Sequence, residues 1–316
     1  MINDDKEGGN AGGVGKGWRW VVENAQNKSV NRGVIGILGY FGLWMFLTSV
    51  LAWPVARGVE GVTPGIFPFV RIFGRVELVV ALVLALGLLR WWGEDPRRWV
   101  DGKIWKGEVG RGGLWAGIGL AMVGLVALGQ VVLGVRGWGG WPGVGVWAGA
   151  IGTGLLVGVL EEYFFRGVLG LAWWRAVGER KAGLVVLVGA VIFAGAHFIR
   201  PGVGWVGGGG WGSGFLAWGS LELWSGTGHL WKLAGLVLIG LILARLVWNE
   251  QSLAGAIGLH AGWVGGLRWV ESACPPVPQA VEGWWGPSLE AGPLPFLLLL
   301  IVTLALWGRP IRASLG

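Results

Sequence analysis

Charged residues are scarce in this chain. Asp, Glu, Lys and Arg together make up 14% of its 316 residues, whereas hydrophobic residues make up 53%. Soluble globular proteins carry about 25% charged residues. With a mean hydropathy of +0.61, the composition excludes an ordinary soluble enzyme and predicts a polytopic membrane protein.

Cysteine and histidine are also nearly absent. Cys274 is the one cysteine, so no disulfide can form within the chain. It precedes two prolines and has no base near it in sequence, which predicts an inert thiol rather than a nucleophile. The three histidines are His197, His229 and His260. We expect His229 to lie at the start of the sixth span as a solvated loop residue, and the other two to lie inside apolar segments.

Two motifs that would indicate other functions are missing as well. The glycines between positions 12 and 17 resemble a phosphate-binding loop only faintly, because Lys16 is followed by Gly17 and not by Ser or Thr. No secretory signal is visible, since the first apolar run follows a charged preface of 33 residues. We expect residues 1–32 to form a polar cytosolic tail, with an interfacial segment near Trp18.

Long apolar runs dominate the rest of the chain and predict helices that cross a bilayer. The second and sixth runs have short uncharged cores and carry a charge that must snorkel or pair. We therefore expect an all-α bundle of about eight transmembrane helices, which forms one membrane-embedded domain over residues 33–316. Between the fifth and sixth spans, the glycine-rich segment 207–228 predicts a re-entrant or interfacial piece. The predicted spans are 34–56, 72–92, 113–135, 142 through the glutamates at 161 and 162, 182–199, 233–248, 251–267 and 294–308.

The basic residues indicate how this bundle is oriented. Most Lys and Arg residues lie in the tail, in the loop 93–111, in the loop after the fourth span and at the C-terminus. Lys and Arg are enriched in the cytoplasmic loops of membrane proteins. Both termini are therefore expected in the cytosol. The net charge of +7 is then a signal of topology, with some attraction to anionic lipids, and not a nucleic-acid-binding surface.

Two adjacent glutamates and an arginine end the uncharged run 137–160. Charges at such a depth are costly and usually mark a pathway, an ion pair or a reacting group. On a helix, Glu162 and Arg166 are four residues apart and share a face, whereas Glu161 is rotated by about 100°. This spacing predicts that Arg166 neutralises Glu162 and leaves Glu161 free to react. The alternative is a helix cap or a structural ion-pair cluster.

Counting residues from the predicted turns brings two histidines to the level of these glutamates. Glu161 lies 18 residues before Glu179 and His197 lies 18 residues after it, so a hairpin of spans four and five makes them level. His260 lies eight residues beyond the turn at Ser252, on the same half of the bundle. A lone buried histidine is more often a satisfied core residue. Two of them beside a glutamate pair predict an intramembrane site.

In order along the chain, Glu-Glu-x-x-x-Arg at 161–166, Phe-x-x-x-His at 193–197 and an intramembrane His260 resemble the CAAX prenyl protease and bacteriocin-processing family. The resemblance covers about residues 140–270. It implies an intramembrane endopeptidase of the glutamic type that acts on peptides or proteins, with lipid-modified chains among the candidates.

The resemblance also implies a role for each residue. Glu161 and His197 would activate a water molecule, Glu162 and Arg166 would order the site, and His260 would help to bind the oxyanion. The family often has Asn four residues after the last histidine, and here that position is Val264. One hydrogen-bond donor of the family pattern is therefore absent.

Three other interpretations remain open at this stage. No cofactor is expected, but Glu161, His197 and His260 are also the types of side chain that hold Zn²⁺ in catalytic sites. The usual closely spaced His-x-x-x-His pair is missing, which favours the metal-free version. A non-catalytic membrane protein could use the same cluster to bind a partner or to provide immunity. A proton-coupled carrier is the third alternative.

Overall fold

The computed structural model describes residues 30–62, 64–65, 67–92, 108–170, 182–198, 210–218, 227–250, 252–277 and 288–308. These residues form nine α-helices and no strand, and the fourth helix continues into a π-helical turn, Tyr163–Leu169. The helices are α1 (Val30–Val62), α2 (Phe69–Trp91), α3 (Val109–Val132), α4 (Val144–Glu162), α5 (Ala182–Ala196), α6 (Ser213–Trp218), α7 (Thr227–Glu250), α8 (Ala254–Ala273) and α9 (Pro293–Trp307).

The predicted all-α fold is confirmed, and every predicted span corresponds to a helix. Helices α1, α2, α3, α4 with its π-helical turn, and α7 are long and apolar enough to cross a membrane. Helices α5 and α9 are shorter apolar helices. The second and sixth predicted spans, each with a short uncharged core, are complete helices of 23 and 24 residues. The predicted tail, the basic loop 93–107 and the turn around Glu179 lie outside the described residues.

Helix α8 is the most enclosed helix of the bundle. Every residue from Ala254 to Ala261 is buried, and the helix packs between α3 and α4. Glycine makes this packing possible, because helices approach closely where no side chain separates their backbones. At the following glycines, a Cβ would collide with the backbone of the residue named second: Gly119 with Leu259, Gly154 with Ala261, Gly158 with Ile257, Gly258 with Gly112, and Gly262 with Ala116.

A polar cluster fixes the end of the bundle at which α8 begins. The Ser252 hydroxyl donates a hydrogen bond to the buried Glu108 carboxylate over 2.7 Å, and the Arg111 guanidinium pairs with the same carboxylate at 3.2 Å. The Trp115 indole N–H donates to Glu250 Oε1 over 2.6 Å. These contacts attach the first turn of α3 to the α7–α8 connection and therefore set the depth of α8.

A second polar cluster fixes the opposite end of α8. The buried Arg136 donates to Gln130 Oε1 over 3.0 Å and to the Cys274 carbonyl over 2.6 Å. The Gln130 amide donates to the Ser288 carbonyl over 2.8 Å. Cys274 itself is buried directly after α8. Both ends of α8 are thus attached to α3, and the helix is held at two points along its axis.

Helices α1 and α2 form an antiparallel pair joined by aromatic side chains. The Tyr40 hydroxyl donates to the Ala81 carbonyl over 3.0 Å, and the Trp44 indole donates to the Glu77 carbonyl over 3.2 Å. Since both acceptors are backbone atoms of α2, these two rings fix the register of α1 against α2.

In the segment 207–228, residues 227 and 228 already belong to α7, and the described residues 210–218 contain the short helix α6. Its Trp218 packs edge-on against Trp44, with ring centroids 5.3 Å apart, and donates its indole N–H to Ser49 Oγ over 2.8 Å. Ser49 lies well inside α1, so α6 enters between the helices and does not lie beyond their ends. This placement agrees with the re-entrant version of the predicted segment.

Two glycines of α3 provide a matched test of the packing at α8. Alanine at the exposed Gly117, which has no neighbour within 4 Å, should leave the melting temperature unchanged or raise it. Glycine costs a helix about 0.5–1 kcal/mol relative to alanine. Alanine at Gly119 would place its Cβ 2.9 Å from the Trp263 backbone nitrogen, and such overpacking costs about 1–3 kcal/mol. Thermal unfolding in detergent compares the two variants, and equal melting temperatures would contradict the close packing of α3 on α8.

Candidate active site

The two adjacent glutamates lie in different environments at the junction of α4 and its π-helical turn. Glu162 is 0% exposed and Arg166, which lies in the turn, is 8% exposed. The Glu161 side chain is 26% exposed. Single π-helical turns within α-helices occur frequently at functional sites. No pattern in the sequence predicts this turn, although the spacing between Glu162 before it and Arg166 within it is visible.

The predicted pair of Glu162 and Arg166 is present and is anchored to a third helix. Arg166 Nη1 lies 2.8 Å from Glu162 Oε1, and Arg166 Nη2 donates to the Gly240 carbonyl of α7 over 3.3 Å. A Cβ at Gly240 would lie only 3.0 Å from the Ala190 Cβ of α5. Glycine at position 240 therefore lets α7 pack close to α5.

His260 shares the carboxylate oxygen that Arg166 uses. Its Nδ1 lies 2.8 Å from Glu162 Oε1. An ionised carboxylate can only accept hydrogen bonds, so Nδ1 carries the proton and donates it. The other ring nitrogen, Nε2, lies 3.8 Å from Glu161 Oε2. The contact between His260 and Glu162 was not predicted, because the sequence analysis assigned Glu162 to Arg166 alone.

His197 approaches Glu161 from the other side. It lies in the turn directly after α5, which ends at Ala196 and not at the predicted residue 199. Its Nδ1 is 2.9 Å from the Phe193 carbonyl. A carbonyl is an acceptor, so this nitrogen is the donor. The Nε2 atom then points to Glu161 Oε2, which is 3.7 Å away. The predicted level of Glu161 and His197 agrees with this distance.

Glu161 Oε2 is the point at which the two imidazoles meet. This atom is buried and has no hydrogen-bond partner within the described part of the chain. The separations of 3.7 and 3.8 Å are too long for direct hydrogen bonds. They are short enough for one water molecule to bridge the carboxylate and an imidazole. The geometry thus provides a binding position for a polar atom among three potential acceptors and donors.

The Phe193 ring packs against three side chains of the site. It is 1% exposed, and the Arg166 guanidinium carbon lies 4.3 Å from its centroid. The His197 ring lies edge-on at 4.8 Å and the His260 ring at 5.9 Å. One aromatic ring therefore restrains both imidazoles and the arginine. Its position four residues before His197 was the available signal in the sequence.

The site lies well inside the bundle. Gly240 is ten residues from the end of α7 at Glu250, and His260 is eight residues beyond Ser252. With a rise of 1.5 Å per residue, both positions are about 12–15 Å from the polar cluster of Glu108 and Ser252. The carboxylates and imidazoles are therefore at intramembrane depth.

Two other singled-out residues lie elsewhere. His229 is in the first turns of α7, where its ring is 6.1 Å from that of Phe198, so the expectation of a loop residue is wrong. Cys274 lies at the far end of α8. Among the described residues, no group of three or more His, Cys, Asp and Glu side chains has a geometry that could hold a metal ion.

Paired carboxylates and histidines thus lie together inside an apolar helical bundle. A family model described as type II CAAX prenyl endopeptidase, Rce1-like, matches residues 143–265, from the start of α4 to the middle of α8. Over this segment the chain is similar to the CAAX protease family, and the predicted resemblance is confirmed. No curated protein and no solved structure matches the chain significantly.

Replacing Arg166 by alanine tests the buried ion pair. The change leaves Glu162 charged and without its cation in the interior, which costs about 3–5 kcal/mol for a fully buried pair. The matched control is Arg268→Ala, because Arg268 is exposed and donates to the Thr153 hydroxyl. Exposed substitutions of this type change stability by less than about 0.5 kcal/mol. Unfolding curves of the two variants should differ strongly, and similar curves would show that Glu162 does not depend on Arg166.

Proposed function

We propose that the protein is an intramembrane endopeptidase that hydrolyses a peptide bond with a water molecule activated by Glu161 and His197. The observation that carries the proposal is the position of Glu161 Oε2. This buried oxygen lacks a hydrogen-bond partner among the described residues and faces two imidazole nitrogens at 3.7 and 3.8 Å. The family match over residues 143–265 supports a peptidase in general.

In this mechanism the oxygen of the water molecule attacks the peptide carbonyl carbon, and Glu161 takes the proton that this water molecule loses. The bond from His197 Nδ1 to the Phe193 carbonyl leaves the lone pair of the neutral ring on Nε2, which faces the water position. His197 therefore orients the water and relays the proton to the amine when the carbon–nitrogen bond breaks. A positioned acid or base of this kind accelerates proton transfer by about 10²–10⁴-fold.

His260 binds the developing oxyanion. Its Nδ1 proton is held by Glu162, so Nε2 donates a hydrogen bond when the ring is cationic, and the Glu162 carboxylate stabilises that cation. Donors aimed at a developing negative charge are among the largest contributions to catalysis. Val264 stands one helical turn beyond His260 and provides no donor, so His260 carries this role without the amide of the family pattern.

Substrates are peptides or proteins that reach the site within the bilayer, lipid-modified chains included. The apolar helices make the protein an integral membrane protein. The distribution of Lys and Arg favours the cytoplasmic membrane, with both termini and the nearer opening of the site on the cytosolic side.

Exchanging the proposed base tests the function directly. Glu161→Gln keeps the size of the side chain but cannot take a proton, so cleavage of a reporter peptide should be abolished. The melting temperature should stay the same or rise, because a buried carboxylate without a partner is destabilising. The control is Glu290→Gln, since Glu290 is a partly exposed carboxylate paired with Lys232 at 2.7 Å. Normal cleavage by Glu161→Gln would support a non-catalytic membrane protein that uses this cluster for stability or for binding.

A zinc-dependent version of the same peptidase is the second candidate, and one observation favours it. Both imidazoles present Nε2 to Glu161 and donate Nδ1–H to an acceptor, as metal-bound histidines usually do. Glu161, His197 and His260 have the chemistry to hold zinc, which would polarise the peptide carbonyl. Their separations do not form a metal-holding group in the described residues, so the metal-free mechanism remains our proposal.

Chelation separates the two mechanisms. The metal-free site should keep its full cleavage rate after prolonged treatment with a strong chelator, and elemental analysis should find less than one zinc per chain. The matched sample is the same preparation with zinc added back. Loss of cleavage that zinc restores would assign Glu161, His197 and His260 to metal ligation.

A further inference from the structure

An acidic residue that the proposed mechanism does not use lies on the interior face of α2. At about 100° per residue, Glu77 shares its side of the helix with Phe73, Val80 and Ala81, all of which are buried. Glu77 therefore points along the middle of the buried stripe of α2. It is nevertheless only half-buried, so the packing of the bundle does not enclose this carboxylate completely.

No cation of the described residues neutralises Glu77. The structure shows no ion pair and no side-chain hydrogen bond to its carboxylate within the described residues; Trp44 binds only its backbone carbonyl. Arg75, two residues earlier, is exposed and lies on the opposite side of α2. A charged side chain at this depth is costly, and it usually belongs to a binding site or a pathway. Glu77 thus resembles Glu161, which also faces the interior without a partner.

Glu77 and Glu161 lie on helices that approach each other, since α2 contacts the π-helical turn directly after α4. The Tyr40 ring contacts the Phe164 ring at 5.6 Å, and Tyr40 also donates to the Ala81 carbonyl. Phe164 follows Glu161 by three residues, and Ala81 follows Glu77 by four. Because α2 and α4 run in the same direction through an alternating bundle, each glutamate lies about one turn, 5 Å, beyond this aromatic contact and toward the same end.

We propose that Glu77 is a specificity-determining residue that binds a positively charged group of the peptide substrate, a lysine or arginine side chain or a free amine. This inference rests on the proposed function of the site at Glu161. The Tyr40 hydroxyl and the Trp44 indole N–H donate to backbone carbonyls of α2, so neither side chain satisfies the Glu77 carboxylate. The carboxylate therefore keeps its capacity to bind an ammonium or guanidinium group of a substrate.

The test uses fluorogenic apolar peptides in which one lysine is moved through the positions on both sides of the cleaved bond. A second set carries norleucine in place of each lysine. At one position the protein should cleave the lysine peptide with the higher kcat/KM. In Glu77→Gln the ratio of kcat/KM for lysine over norleucine should fall about tenfold, since hydrogen bonds to charged groups are stronger than those between neutral groups.

The control variant is Glu60→Gln. Glu60 is an exposed glutamate at the end of α1 that pairs with Arg57 at 3.1 Å, and its replacement should leave the ratio unchanged. Glu77→Asp keeps the negative charge and should retain the preference for lysine. Melting temperatures of all three variants show whether a change in the ratio accompanies loss of the fold.

Binding of the same peptides to Glu161→Gln, with and without Glu77→Gln, distinguishes this inference from the proposed function. A preference for lysine that depends on Glu77, in a protein that cleaves no peptide, would retain the cation site and reject the peptidase. Cleavage with a ratio that Glu77→Gln does not change would overturn the cation site and keep the peptidase. Equal losses for both peptide sets would likewise overturn it, because they would assign Glu77 to folding or to the reaction itself.

Discussion

The site depends on the hydrogen bonds that the Glu162 carboxylate accepts. Its Oε1 accepts hydrogen bonds from Arg166 and His260, each over 2.8 Å, and Arg166 continues to the Gly240 carbonyl. One buried anion thereby connects α4, its π-helical turn, α7 and α8. In an apolar interior, a charge is stable only when its partners satisfy it fully. The positions of these helices are therefore coupled to the ionisation of a single side chain.

Glycine provides the close packing that this network requires. The His260 ring can reach Glu162 only because α8 lies tightly between α3 and α4, where Gly119 and Gly158 contact its backbone. Gly240 has the same role on α7, whose carbonyl must come within 3.3 Å of Arg166. Without a hydrophobic driving force between helices in lipid, small residues are the usual means of such approach. Part of the abundant glycine in this chain thus has a defined structural role.

Much of this site could be predicted from spacing alone. The interval of four residues placed Arg166 beside Glu162, and counting from the turns placed His197 and His260 level with Glu161. Helical periodicity and the alternation of spans carry that information, and neither depends on how the helices pack. The eight spans could be predicted from long apolar runs in the sequence.

The remaining features depend on tertiary contacts that leave no trace in the sequence. The Gly240 carbonyl is a backbone acceptor, and backbone acceptors occur at every residue. Sharing of Glu162 by His260 depends on how closely α8 approaches α4. The π-helical turn and the early end of α5 at Ala196 are adjustments of the backbone to these neighbours. His229 shows the reverse error, because its polar character suggested a loop although it lies within α7.

The pairing of one glutamate explains why its neighbour is available for chemistry. Glu162 Oε1 already accepts hydrogen bonds from Arg166 and His260, so Glu162 is suited to structure and to supporting His260. The rotation of about 100° between successive helical residues turns Glu161 away from Arg166 and toward the two Nε2 atoms. Glu161 and Glu162 are adjacent and of the same type, but the rotation between them places them in different environments. Moving the arginine by one position would exchange them, and the ion pair would then occupy the side of the helix that faces the interior space.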